Sequence, residues 1–189
     1  MFFGYGPDIR YKPITYLAWA ILYSIDGLRP FIFHLANLGL HSVNACLLFV
    51  LLMRLGDVAG GGRTSGAAKD EKWRLVAAGL IALLWVVHPL RVETTAWVSV
   101  LSYSLAAFFL QLAMLNFLAC DRDRPFTRQR YYWRALILFQ FGMMSFPVAI
   151  GFSFAFLAVC IFPLKMIKVG TVADFLAPVS RRVVLEILP

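Results

Sequence analysis

The segment His88-Pro89-Leu90-Arg91-Val92-Glu93-Thr94-Thr95-Ala96-Trp97 separates two long apolar segments, and the rest of the chain is arranged around it. It holds a histidine, an arginine and a glutamate within six residues. Pro89 ends any preceding helix, because proline lacks an N–H group and disfavours helical geometry at the residue before it. Trp97 is a residue type that is typical of membrane–water boundaries. The segment therefore predicts a polar hinge at the outer membrane face, with one equal alternative: an ordinary interfacial loop in which Arg91 pairs with Glu93.

The composition excludes an ordinary soluble domain. The chain is 61% hydrophobic and 15% charged, with a mean hydropathy of +0.76, whereas soluble domains are about 45–50% apolar and about 25% charged. The net charge of +8 is spread between apolar segments, which indicates inner-side membrane loops and not a nucleic-acid partner. The three cysteines show no metal-ligand spacing, so neither a metal nor another cofactor is expected.

A stripe of polar side chains interrupts the first long apolar segment. Residues 31–53 carry no formal charge and are long enough to span a bilayer, yet they include His34, Asn37, His41 and Asn44 at spacings of 3, 4 and 3. Polar groups in hydrocarbon are costly and normally face other helices or a wet cavity. We assign Asn44 to hydrogen bonding between helices. For His34 and Asn37, which we expect to face the hinge side of the bundle, cavity lining and interhelical bonding are equal alternatives.

The N-terminal apolar run is shorter and rich in aromatic residues. Between Pro13 and Ile25, Tyr16, Trp19 and Tyr23 fall on one helical face. The run is shorter than the ~20 residues that a span needs, so it predicts a helix lying in the membrane interface, with a degraded spanning helix as the alternative. A glycine-rich stretch within residues 54–74 predicts a flexible linker, and its spacing does not match a phosphate-binding loop.

The uncharged residues 135–164 present a length problem. As one helix, these 30 residues would extend roughly 45 Å, whereas the hydrocarbon core is about 30 Å thick. A hairpin that turns at Ser145-Phe146-Pro147 solves this and places 14 of the 18 basic residues on the inner side, as the positive-inside rule favours. The predicted crossing segments are therefore 31–53, 74–90, 96–119, 131–145 and 147–164. Residues 54–74, 121–134 and 165–189 are expected inside.

The predicted fold is an all-α, polytopic transmembrane helical bundle with about five crossing segments and one interfacial helix. Its parts are an outer-face segment (residues 1–30), the transmembrane bundle (31–164) and a tail (165–189). The tail ends on an apolar rise that is typical of the approach to a further span. We therefore expect the chain to be a piece of a longer protein.

Three motifs give the chain a family resemblance. They are Tyr11-Lys12-Pro13-Ile14-Thr15, then Phe33-His34-Leu35-Ala36-Asn37 with His41-Ser42-Val43-Asn44-Ala45, and then His88-Pro89-Leu90-Arg91-Val92-Glu93 with Ala96-Trp97. In this order they resemble the membrane half of transmembrane O-mannosyltransferases with C-terminal tetratricopeptide repeats, and their bacterial relatives, in the GT-C superfamily. The resemblance covers nearly the whole chain. It implies a GT-C-like fold in a membrane, for which the bacterial inner membrane is a better expectation than the endoplasmic reticulum.

The resemblance implies transfer of a sugar, with mannose as one candidate, from a polyprenyl-phosphate donor to an acceptor protein at the outer membrane face. Such a reaction needs groups that stabilise the departing phosphate. Arg91 and Lys12 are expected to bind phosphate, the first as a planar fork and the second as a point charge. Glu93 is expected to orient Arg91 or to accept a hydrogen bond from the sugar. The other predicted substrate-binding residues are His88, His34 and Asn37.

The chain also departs from the family pattern. The catalytic acid that the resemblance implies would lie upstream of residue 1. Ser99–Tyr103 stands where many relatives have an Arg/Lys-Asp pair, and Ser145-Phe146-Pro147 stands where many have Ser-Lys-Pro, so a lysine is missing at Phe146. By itself the chain is therefore expected to be inactive. The alternatives are a non-catalytic scaffold of the same architecture and a small transporter subunit, which is disfavoured because no acidic residue lies within the predicted spans.

Overall fold

The computed structural model describes residues 11–59, 68–121, 124–162 and 164, and every element in this part of the chain is helical. The helices are α1 (Pro13–Asp26), α2 (Pro30–Ala59), α3 (Ala68–Val87), α4 (Arg91–Ala96), α5 (Leu101–Leu118), α6 (Arg130–Ser145) and α7 (Phe152–Ile161). Short 3-10 turns occupy Val98–Val100, Phe126–Arg128 and Pro147–Gly151. The all-α prediction is confirmed. Residues 1–10, the glycines of the predicted linker and the tail 165–189 lie outside the described residues.

Proline and glycine set several helix boundaries, as their backbone chemistry requires. Pro13 occupies the first turn of α1, where no intrahelical N–H is needed. Gly27 ends the same helix with a φ of 64°, a left-handed conformation that glycine adopts without steric cost. Its N–H donates to the carbonyl oxygen of Tyr23 at 2.8 Å. At the other breaks, α3 ends directly before His88-Pro89, and α6 ends at Ser145, two residues before Pro147.

The helices of the bundle alternate in direction. Helix α2 is antiparallel to α3, since Arg74 near the start of α3 reaches Met53 in the second half of α2. It is parallel to α5, and α5 in turn packs antiparallel on α6, so that Tyr103 meets Phe146 across that interface. One end of the bundle therefore holds residues 88–101 and 145–147, which we call the hinge end. The opposite end, which we call the loop end, holds residues 53–59, 68–74, 118–121 and 124–130.

The interface between α5 and α6 is the most extensive between helices of the described chain. A Cβ atom added at Gly142 of α6 would lie 2.9 Å from Cγ of Leu110 on α5, a separation that real Cβ atoms essentially never show. Leu110, Ala106, Phe146 and Ala149 form a buried apolar cluster around this approach. Small residues let helix backbones come close where there is little hydrophobic drive between helices. The glycine therefore sets the distance between α5 and α6.

Much of the surface of this bundle is apolar, which is typical of a protein whose solvent is lipid. Large apolar side chains are exposed along α2, α3 and α6, among them Leu35, Leu38, Leu80, Leu83, Leu84, Leu136 and Ile137. Soluble monomers rarely expose contiguous apolar patches of more than a few hundred Å². Together with the apolar helices, this surface indicates a membrane protein.

In the described residues, two helical stretches, Pro30–Ala59 and Val98–Leu118, are long and apolar enough to cross a membrane. This is fewer than the five crossing segments that we predicted. The first turns of α3 are charged, which leaves its apolar part at residues 75–87, and α6 has 16 residues and begins at an arginine. Helix α7 has 10 residues, so each of these three helices is short of the ~20 apolar residues of a full span. Each predicted segment does contain a helix.

We predict opposite effects of the same substitution at two helical glycines. Gly142→Ala forces its new Cβ against Leu110 and lowers the free energy of unfolding by about 1–3 kcal/mol, the usual cost of overpacking. Gly79→Ala meets nothing within 4 Å, so its effect is neutral or stabilising by up to about 1 kcal/mol, the helix-propensity difference. Unfolding of both variants in detergent, followed by circular dichroism, gives the two values. Equal effects at the two sites would contradict the close approach.

Candidate functional site at the hinge end

The hinge is a compact turn between α3 and α5. The N–H of Arg91 donates to the carbonyl oxygen of His88 at 2.8 Å, and the N–H of Val92 donates to that of Pro89 at 3.2 Å. The short helix α4 follows and closes with a bond from the N–H of Trp97 to the carbonyl oxygen of Glu93 at 3.1 Å. The chain therefore turns after α3 and again after α4, and the whole segment stays at the hinge end. His88 is exposed there.

Arg91 rests on an aromatic ring and does not pair with Glu93. Its guanidinium carbon lies 4.6 Å from the ring centroid of Trp85 in α3, a cation–π geometry. No ion pair joins Arg91 to Glu93 in the structure, although both are within the described residues. The alternative of a loop held by that pair is therefore wrong. The Glu93 carboxylate is exposed in the first turn of α4, where a negative charge suits the helix dipole.

The polar stripe of α2 bonds this helix to its neighbours. Asn37 is fully buried, and its Nδ2 donates to the carbonyl oxygen of Trp97 at 2.9 Å. Nδ2 of Asn44 donates to the carbonyl oxygen of Ser104 at 2.9 Å, which confirms the interhelical role assigned to that residue. His41 stacks on Trp85 with ring centroids 5.2 Å apart. Asn37 thus faces the bundle, as predicted.

His34 does not follow its neighbours of the stripe into the interior. Its side chain is exposed, so the orientation that we predicted is wrong for this residue. His34 lies only about 20° from the face of the buried His41, because seven residues turn the helix by about 700°. The two histidines therefore differ in position along the helix: His34 is one turn nearer the start of α2 than Asn37, whose bond to Trp97 joins α2 to the hinge. Its assignment to substrate binding stays a prediction.

Two motifs that are far apart in the sequence meet at the hinge end. The buried hydroxyl of Thr15 donates to the carbonyl oxygen of Ser145 at 2.8 Å. Nζ of Lys12 lies 4.5 Å from the ring centroid of Phe146, and the ring of Tyr103 lies 4.1 Å from it. The start of α1 is therefore docked on the turn between α6 and α7. Lys12 stands beside the position where the family pattern has its lysine.

Four residues of this region were missed as contributors to the site: Thr15, Trp85, Tyr103 and Phe146. Thr15 belongs to a quoted motif, and a hydroxyl one helical turn into an apolar helix is a signal of interhelical bonding. Trp85 and Tyr103 sit within uncharged runs, where composition alone does not separate a lipid-facing ring from one that supports a cation. Their partners lie on other helices, and a single sequence does not reveal such contacts.

Among the described residues, no group of three or more histidine, cysteine, aspartate or glutamate side chains is placed to hold a metal ion. A cavity of about 500 Å³ lies at the loop end and is lined by residues of the connection between α5 and α6. The length of α5, roughly 27 Å for its 18 residues, separates that cavity from the hinge. We place the candidate catalytic region at the hinge end because the family motifs meet there, and we treat the cavity separately.

Comparison with known proteins gives three curated relatives. The chain is 30% identical over 131 residues to Protein O-mannosyl-transferase Tmtc3 of Drosophila melanogaster, which is 67% of this chain and 14% of the fly protein. It is 31% identical over 134 residues to Protein O-mannosyl-transferase TMTC4 of Homo sapiens, which is 68% of this chain and 17% of that protein. The mouse TMTC4 protein is 28% identical over 134 residues. The chain thus spans about a sixth of the length of the curated relatives it matches.

No protein-family model matches the chain, and no solved structure matches it. The chain is a distant homologue of proteins named Protein O-mannosyl-transferase. These relatives come from a fly, a human and a mouse, so the expected bacterial inner membrane receives no support from them.

We predict that the hydrogen bond from Asn37 holds the hinge in place. Asn37→Ala removes the donor to Trp97 and lowers the free energy of unfolding by about 0.6–2 kcal/mol, the range for hydrogen bonds between membrane helices. It also speeds tryptic cleavage after Arg91 in detergent, because the hinge is released. His34→Ala, three residues away on an exposed face, is the matched control and changes neither value. Equal cleavage rates in the two variants would show that Asn37 does not anchor the hinge.

Proposed function

We propose that the chain is part of the membrane domain of a GT-C-type glycosyltransferase with five membrane-crossing segments. In this proposal the hinge end faces the outer side of the membrane. The enzyme transfers a sugar, with mannose favoured by the names of the relatives, from a polyprenyl-phosphate carrier to an acceptor protein. The observation that carries the proposal is the meeting of the Tyr11–Thr15 motif, the Ser145–Pro147 turn and the start of α5 at one end of the bundle.

Arg91 is the first phosphate-binding candidate. An arginine that rests on an aromatic face keeps its edge N–H groups available, and those groups match two phosphate oxygens in a fork. Because no carboxylate pairs with it in the described chain, the positive charge of Arg91 is not neutralised by a fixed partner. Trp85 holds the side chain from below and is in turn packed on His41 of α2. The cation is thus positioned by the bundle and not by the loop.

Lys12 is the second candidate, and it takes over the place of the missing lysine. The turn at Ser145-Phe146-Pro147 has an aromatic ring where the family pattern has a lysine, and the ammonium group of Lys12 lies over that ring. The bond from Thr15 to Ser145 fixes the start of α1 at the same turn. A cation is therefore present at this turn, although it comes from a different helix. In the proposal it contacts the carrier phosphate as a point charge.

The remaining residues have supporting roles. Glu93, exposed beside Arg91 in α4, accepts a hydrogen bond from the sugar or orients the arginine once substrate is bound. His88 and His34 are exposed and donate to phosphate or hydroxyl oxygens. Asn37 acts through the carbonyl group of Trp97, so it is a positioning residue. We assign no catalytic acid among the described residues, and the acid that this reaction needs is expected from another segment of the gene product.

We predict that Arg91→Lys lowers transfer by about tenfold or more, since the charge stays but one of two charge-assisted hydrogen bonds is lost. Glu93→Gln has a smaller effect if Glu93 orients Arg91, and an equal or larger effect if it touches the sugar. The assay measures transfer from polyprenyl-phosphate sugar to protein in membranes that contain the complete gene product. The matched control is Arg29→Lys, an exposed arginine paired with Asp26 at 3.3 Å. If both hinge variants transfer sugar at the wild-type rate at equal expression, Arg91 and Glu93 are not part of the site. The non-catalytic scaffold of the same architecture is then the better proposal.

We predict that Lys12 and position 146 are interchangeable sources of one charge. Lys12→Gln lowers transfer, and adding Phe146→Lys to it restores part of the lost rate, because the lysine then returns to its place in the family pattern. Phe146 is buried and packs in the apolar cluster, so Lys12→Gln with Phe146→Leu is the control for packing alone. Thermal unfolding of each variant separates loss of the site from loss of the fold. No rescue by the lysine, with folding intact, would remove Lys12 from the phosphate site.

A further inference from the structure

The cavity at the loop end is lined mainly by basic side chains. Arg124, Arg128 and Arg130 line it with Asp121, which leaves an excess of two positive charges. Nε of Arg124 pairs with the Asp121 carboxylate at 3.2 Å. Arg128 and Arg130 form no ion pair with any described residue. Two guanidinium groups that form no ion pair with a described residue therefore line a cavity of about 500 Å³, an arrangement suited to a phosphate group held by two arginines.

A network of side-chain hydrogen bonds joins the described residues of this connection to one another. Nε2 of Gln129 donates to the carbonyl oxygens of Asp121 at 2.6 Å and Arg124 at 3.1 Å, and its Oε1 accepts from the N–H of Asp121 at 2.7 Å. Nε1 of Trp133 donates to the carbonyl oxygen of Thr127 at 2.8 Å. The arginines are thus presented by a braced segment. Bracing lowers the ordering cost of binding.

An apolar groove opens at the same end of the bundle. It has a volume of about 240 Å³ and is lined by Phe117, Tyr132, Ala135, Leu136, Phe139, Ser153 and Phe156. Phe126 of the braced segment links the two features, because its ring packs on both Phe117 and Tyr132. Phe117 and Tyr132 each lie within two residues of a residue that lines the basic cavity, namely Ala119 and Tyr131. A charged cavity and an apolar groove that meet at the ends of α5 and α6 match a ligand with a phosphate head and a hydrocarbon tail.

We propose that the loop end binds an anionic phospholipid, with the phosphate headgroup between Arg128 and Arg130 and an acyl chain along the groove between α6 and α7. The site is separate from the hinge-end site and does not depend on the proposed transferase activity. Tyr131 and Trp133 beside it are exposed, and both residue types are enriched at membrane–water interfaces. On the inner leaflet, where anionic lipids concentrate, this lipid anchors the connection between α5 and α6.

The test uses the purified full chain in neutral detergent and measures binding by thermophoresis. The probes are dioctanoyl phosphatidylglycerol, dioctanoyl phosphatidylcholine and inorganic phosphate. We expect phosphatidylglycerol to bind more tightly than either of the other two. Arg128→Gln with Arg130→Gln weakens it about 25-fold, at about fivefold for each arginine near an anionic headgroup. Arg54→Gln with Lys72→Gln removes two exposed charges of the same end outside the cavity and has an effect below about threefold, since such charges are screened.

The groove has its own variant. Ser153→Phe fills it, so it weakens binding of phosphatidylglycerol and leaves binding of inorganic phosphate unchanged. Equal loss in the cavity variant and in its charge-matched control would overturn the proposal, because the attraction would then be that of net charge. If inorganic phosphate binds as tightly as phosphatidylglycerol, the cavity is a site for free phosphate. If phosphatidylcholine binds as tightly as phosphatidylglycerol, the groove alone accounts for lipid binding. Either result overturns the anionic-lipid site.

Discussion

Two asparagine hydrogen bonds fix the register of α2 against α5, and the hinge depends on them. Asn37 bonds to Trp97 and Asn44 bonds to Ser104, with the same separation of 60 positions in the sequence. Two bonds with one offset, two helical turns apart, permit a single parallel alignment of the helices. Between membrane helices, where lipid is as apolar as leucine, such bonds contribute more to specificity than apolar area does. A shift by one residue would leave both buried amides without their acceptors.

Helix α5 transmits this register to the other parts of the hinge end. Trp97 and the Val98–Val100 turn lie directly before it, and its first turn carries Tyr103, which packs on Phe146. On its opposite flank α5 meets α6 through the close approach at Gly142. The helices that follow Lys12 and begin at Arg91, α1 and α4, both contact α5, although the two cations lie about 80 positions apart in the sequence. A substitution that shifts the start of α5 is therefore expected to displace both cations.

The sequence was sufficient for the local features of the fold and insufficient for those that join distant segments. Proline and glycine chemistry predicted the break at His88-Pro89, the turn near Pro147 and the start of α1, because those effects act within a few residues. The stripe periodicity correctly placed Asn37 and Asn44 inward. It failed for His34, which is exposed one turn nearer the start of α2 although it shares the face of the buried His41. The meeting of Thr15 with Ser145 was not predictable, since it spans 130 positions and no local pattern encodes it. Length and composition predicted five crossing segments, whereas two stretches of the described residues are long and apolar enough to cross a membrane by themselves, because the apolar parts of α3 and α6 are short.

The partner of Arg91 illustrates why charge pairing was the wrong guide at the hinge. An exposed pair with Glu93 is worth about 0–1 kcal/mol, whereas stacking on an aromatic ring contributes about 0.5–2 kcal/mol and more where water is excluded. Lys12 follows the same rule on Phe146. A carboxylate partner cancels much of the electrostatic field of a cation. An aromatic ring carries no net charge, so it supports the cation without neutralising it. Arg91 on Trp85 and Lys12 on Phe146 place two positively charged groups at the hinge end. That is the electrostatic condition for attracting a phosphate group out of the headgroup region, and it follows from the choice of aromatic supports at Trp85 and Phe146.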